Sequence, residues 1–96
     1  MPTPFSTELL GYKWVLYAQT SNSATQIEVK SWEDTKDENN TPILAYNNML
    51  NDDNILLDVG SYTFTLIVYN SDNKKVLEGS EEFTINPNQN NKLEFN

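Results

Sequence analysis

The chain contains no cysteine, no histidine and no arginine, and only three glycines. Without cysteine there is no disulfide framework, no thiolate zinc site and no cysteine nucleophile. Without histidine the usual neutral-pH general base and transition-metal ligand are missing. All six basic residues are lysines, so the planar bidentate clamp for phosphate or carboxylate is absent too. Gly11, Gly60 and Gly79 are scattered and build no phosphate loop. No run approaches the roughly 18 consecutive apolar residues of a membrane span. The first residues lack a basic segment followed by an apolar one, and do not read as a signal peptide.

What is present is acid. Fourteen carboxylates against six lysines give a net charge of -8, which repels nucleic acid. The 96 residues, 38% hydrophobic, fit one domain with one modest core. At this size roughly 60–65% of the unfolded chain's surface can be buried. Residues 1–10, with Pro2, Thr3, Pro4, Ser6 and Thr7, read as an N-terminal arm or linker, and residues 11–96 as a single domain.

From Gly11 onward the hydrophobic period is two rather than 3.6. Residues 11–19 alternate Tyr12, Trp14, Leu16 and Ala18 with Lys13, Val15, Tyr17 and Gln19. Residues 25–32 place Ile27 and Val29 on one face and Gln26, Glu28, Lys30 and Trp32 on the other. Residues 33–41 read as a solvated loop, and Pro42 opens a short apolar edge run through Ile43, Leu44, Ala45 and Tyr46. Residues 47–58 break any pattern; a loop, a short edge strand or one helical turn all fit them. In residues 60–70, Tyr62, Phe64, Leu66 and Val68 share one face, and Thr63, Thr65, Ile67 and Tyr69 the other. Residues 70–74 make a hairpin loop, Gly79 marks a bulge or bend, and Phe83 and Ile85 point inward on the return. Residues 86–91 turn the chain into a last strand carrying Leu93 and Phe95. About seven short strands with frequent turn signals predict an all-β, antiparallel β-sandwich; a small closed barrel is the alternative.

The stretch Leu57-Asp58-Val59-Gly60-Ser61-Tyr62-Thr63-Phe64-Thr65-Leu66 resembles the Leu-x-x-Gly-x-Tyr-x-Phe-x-Leu strand entry of tandem immunoglobulin-like domains in bacterial surface proteins. The polar hairpin at residues 70–74, Val76-Leu77-Glu78-Gly79, the strand with Thr84 and Ile85, and the ending Asn90-Asn91-Lys92-Leu93-Glu94-Phe95 are similar as well. So is the opening Trp14-x-Leu16-x-Ala18. Fibronectin type III and transthyretin-like sandwiches share a Gly-x-Tyr of this kind. Residues 47–58 depart from the pattern, being longer and more acidic. The resemblance implies an immunoglobulin-like sandwich of about seven strands, extracellular, at the cell surface or periplasmic, and non-catalytic.

Strict alternation puts Trp32 with Tyr17 and Tyr69 on an outer sheet face, beside Val15 and Ile67. Such an aromatic face suits a sugar ring or a protein partner. Asp52, Asp53 and Asp58 are the candidate calcium ligands, but Asn51-Asp52-Asp53-Asn54 does not fit an EF-hand. No cofactor is expected. Glu81 and Glu82 are adjacent, so a strand points them to opposite faces, and no Ser–His pair can form. The reading is a spacer or adhesion module with no catalytic residues. Its partners would be a protein or glycan at a cell surface, or neighbouring domains of a parent chain. The alternatives are a carbohydrate-binding module and an assembly subunit joined through an edge strand.

Overall fold

The structure is a computed structural model in which residues 13–52, 55 and 57–87 are described. The strands are β1 (Lys13–Thr20), β2 (Ile27–Glu33), β3 (Thr35–Lys36), β4 (Pro42–Ile43), β5 (Gly60–Tyr69) and β6 (Lys75–Ile85), and one helix, α1, spans Ala45–Asn51. The large sheet has the order β2-β1-β5-β6 with every neighbouring pair antiparallel. β3 and β4 pair as a separate two-stranded hairpin. The fold is therefore predominantly antiparallel β. The expected arm at residues 1–10 and the strand carrying Leu93 and Phe95 lie outside the described residues.

Alternation decides which side of the sheet each residue joins. Trp14, Leu16 and Ala18 of β1 stand opposite Val68, Leu66 and Phe64 of β5, and all six are buried. α1 lies over this face, with Ala45 fully buried and Tyr46 and Met49 packed against the core. Tyr46 meets Trp14 edge to face at a centroid distance of 5.4 Å. Ile55 and Leu57 pack against the same core ahead of β5.

The helix is not one its own sequence strongly favours. Its seven residues include three asparagines, and Leu44 at the N-cap offers no side-chain oxygen. Tertiary partners supply what is missing. The Ala45 N–H donates to Asp34 Oδ1, and Asn48 Nδ2 donates to the Glu33 carbonyl. The run after Pro42 thus starts as the expected edge strand, but only over Pro42–Ile43, and then turns helical.

Two hairpin turns share one design. Asn70 Oδ1 accepts the N–H groups of Asp72 and Lys74, and Asn73 takes φ 63°. Asp37 Oδ1 likewise accepts the N–H groups of Asn39 and Thr41, and Asn40 takes φ 66°. Residues 33–41, expected as a plain solvated loop, thus contain a second tight hairpin. At Gly60, φ 145° demands a residue without Cβ, which fits the expected tight entry into β5. Gly79 makes no bulge; it pairs with Leu66 inside a continuous β6, and the irregularity falls near Val76 instead.

The largest correction concerns β2. Leu16 pairs with Lys30 and Tyr17 with Glu28, so Val29 is an extra residue, a β-bulge. The bulge resets the parity, and Trp32 comes opposite Trp14 on the buried face, 7% exposed. Trp32 therefore does not belong to the outer face. Val29 does pack against the core as expected, whereas Ile27, at the end of an edge strand, is 63% exposed.

Phe64, 3% exposed and in ring contact with Tyr62 and Phe83, anchors the β5–β6 half of the core. Phe64→Ala should remove about 3–5 kcal/mol of stability, a large part of a small domain's total. Urea unfolding followed by tryptophan fluorescence measures it, and a loss below about 1 kcal/mol would place the core elsewhere.

Candidate functional site

Of the three aromatic residues expected on the outer face, the structure places two there. Tyr17 lies beyond the cross-strand pair Val15–Ile67 on one side, and Tyr69, opposite Lys13, lies beyond it on the other. Four residues of register separate the two tyrosines, about 14 Å along the sheet. Tyr69 is nevertheless the main influence on the Tyr17 phenol. The Val15–Ile67 pair between them is buried, 1% and 8% exposed, although neither residue belongs to the core cluster beneath α1.

Beside Tyr17, from its cross-strand partner Thr65, runs a polar row. Gln26 Nε2 donates to Thr65 Oγ1 at 3.1 Å, and Thr65 Oγ1 and Ser80 Oγ are 3.0 Å apart. Thr65 is buried, and the row satisfies its hydroxyl. The hydrogen bond with Tyr69, partial burial, and the nearby charges of Tyr69 and Glu28 together raise the Tyr17 phenol above its usual pKa. The outer face thus carries two tyrosines beside a hydrogen-bonded polar row, with Glu28 standing directly across from Tyr17.

The calcium candidates do not converge among the described residues. Asp52 Oδ2 accepts from Trp32 Nε1 at 3.3 Å and forms an ion pair with Lys30. That carboxylate ties the end of α1 to β2. Asp58 is exposed, and its backbone carbonyl accepts the Tyr62 hydroxyl at 2.8 Å. Asp53 lies outside the described residues. Among the described residues no three acidic side chains come together as a metal-holding group.

A feature the sequence did not announce is an open hollow of about 580 Å³ at the Ala18 end of the buried face. Ala18, Ile27, Val29, Leu57 and Tyr62 supply its apolar walls. The small Ala18 side chain accounts for the space, and among the described residues no strand lies beyond β2. The signal available in sequence was Ala18, the smallest residue on its parity.

The raised Tyr17 value has a stability consequence with a definite sign. The fold favours the neutral phenol, so this contribution is complete below the unfolded value of about 10 and is lost as pH climbs through the higher folded value. In Tyr17→Phe the alkaline fall of the urea midpoint should be shallower than in the parent chain. Equal slopes above about pH 10 would show that Tyr17 is not the group whose ionisation the fold resists.

Comparison of the chain with protein-family models, with curated proteins and with solved structures gives no match.

Proposed function

We propose that this chain is a non-catalytic structural or interaction module, a spacer or adhesion repeat of a bacterial surface or secreted protein. The observation that carries the reading is where its carboxylates are used. Asp34 holds the start of α1, Asp37 shapes the β3–β4 turn, and Asp52 binds Trp32 and Lys30. Acids committed to turns, caps and ties support a framework role rather than acid–base chemistry. In the finer form of this reading the domain is an immunoglobulin-like sandwich. The β3–β4 hairpin would then be a second sheet reduced to two short strands, with α1 filling the rest of that layer. Its partners would be a protein or glycan at the cell surface, or neighbouring domains of a parent chain, and its location extracellular, at the cell surface or periplasmic.

A second reading, a carbohydrate-binding module, is favoured by one observation: Tyr17 and Tyr69 both stand on the outer face of the sheet. Rings of this kind stack on sugar faces. Trp32 has no part in it.

An antibody against the chain should label intact source cells or their periplasmic fraction; labelling confined to the cytoplasm would overturn the surface reading. A glycan array separates the two readings. The module reading expects no hit that depends on these tyrosines, and the sugar-binding reading expects a hit that disappears in Tyr69→Ala and survives Glu38→Ala, at an exposed site in the β3–β4 turn.

A further inference from the structure

The hollow at the Ala18 end of the buried face combines two kinds of wall. Ala18, Ile27, Val29, Leu57 and Tyr62 are apolar or aromatic, whereas Glu28 and Asp58 bring two carboxylates to it. Ile27 stands exposed in this wall, and Val59, next to Asp58 in the chain, is exposed as well. Large apolar side chains left open beside a hollow mark a place where another apolar group docks. Among the described residues no lysine pairs with Glu28 or Asp58.

The course of the chain brings one of its own segments within reach. Ile85, the last residue of β6, pairs with Gly60, two residues before Tyr62, and packs against the same core. The chain therefore leaves β6 at the hollow's end of the sheet. From Ile85 to Ile27 is three strand spacings across and four residues along, roughly 20 Å. Residues 88–96 lie outside the described residues. Fully extended, the eight residues from Pro87 to Phe95 can span about 26 Å. The other candidate, the run before β1, joins the sheet at the opposite end, where Lys13 stands between Glu33 and Tyr69.

The composition of that segment matches the walls. Residues 88–91 are asparagine and glutamine alone, which supply length without competing for apolar surface. Leu93 and Phe95 are the only apolar residues after Pro87, two apart, and Lys92 precedes them directly. A pair of apolar side chains with a cation beside them is complementary to an apolar hollow with two carboxylates.

We propose that the hollow is a docking site for the chain's own segment after Pro87, with Leu93 and Phe95 seated against Ala18, Ile27 and Leu57, and Lys92 brought to Glu28 and Asp58. The hollow is then an intramolecular socket. It closes this end of the core and withholds its apolar walls from other chains. Such a socket serves a spacer and a sugar-binding module alike, so it goes beyond both readings.

The test is nuclear Overhauser spectroscopy on the full chain, with its alanine, isoleucine, leucine and valine methyls labelled. The Phe95 ring should show cross-peaks to the methyls of Ala18, Ile27 and Leu57. In Phe95→Ser the resonances of those methyls should shift while those of Val15 and Ile67, on the outer face, stay in place. The same variant should raise the fluorescence of added anilinonaphthalene sulfonate at least about twofold, as an uncovered apolar surface does. Lys92→Glu should weaken the cross-peaks, and Leu9→Ser/Leu10→Ser should leave them unchanged. Phe95 cross-peaks to Val15 and Ile67 instead, or none at the hollow in the parent chain, would overturn the proposal. So would an equal dye response from the Leu9/Leu10 variant. Cross-peaks that appear only between chains, in a mixture of labelled and unlabelled protein, would overturn it by giving the segment to a second copy.

Discussion

One extra residue in β2 sets the terms for most of the molecule. Had the strand continued its two-residue alternation, Trp32 would face outward and Trp14 would lack its cross-strand partner. The Val29 bulge instead brings both indoles to one side, Trp14 opposite Trp32. Large rings on one face need cover, and the short helix supplies it through Ala45 and Tyr46. The helix is weak in itself and is held by groups the bulged strand and its exit deliver: Asp34 at its start, the Glu33 carbonyl along its side, and Trp32 with Lys30 at its end. Strand irregularity, inward tryptophan and docked helix form one dependent chain.

The parts of the fold that were legible in sequence are those where alternation runs uninterrupted. β1, β5 and β6 follow from their own residues, as do the inward positions of Trp14, Leu16, Phe64, Leu66 and Val68. Trp32 was misplaced because a parity argument carries no information about a bulge, whose cost and gain lie in tertiary contacts. α1 was only one of three options for its segment because Asn47, Asn48 and Asn51 are poor helix formers, and its stabilising partners are distant in sequence. The β3–β4 hairpin was readable in principle. Asp37 and Asn40 repeat the spacing of Asn70 and Asn73, and only the flanking strands are too short to show alternation. At the candidate site, the shared face of Tyr17 and Tyr69 followed from parity, but their spacing on either side of Val15 and Ile67 depends on the β1–β5 register, which parity does not fix.

The two faces of the sheet differ in kind. The inner one is covered by another layer of chain, as expected for a face rich in leucine, valine and aromatic residues. The outer one carries Tyr17 and Tyr69 either side of a buried valine–isoleucine pair, with a hydrogen-bonded row of Gln26, Thr65 and Ser80 alongside. Two polar hydroxyls and an amide satisfied by one another let that row sit on a partly buried face without the cost of unpaired polar groups.

The paired turns at Asp37–Thr41 and Asn70–Lys74 have a meaning beyond the loops they close. Each places one acceptor side chain on two backbone donors and one asparagine in the left-handed region, with the same backbone bonds across the mouth. The first closes strands of two residues and the second closes strands of ten and eleven. The same five-residue device thus serves a hairpin with almost no ladder and one with a long ladder. Turn formation here is a local property of five residues, independent of the strands they join, and such a turn is a unit that could be exchanged between the two sites without rewriting either neighbour.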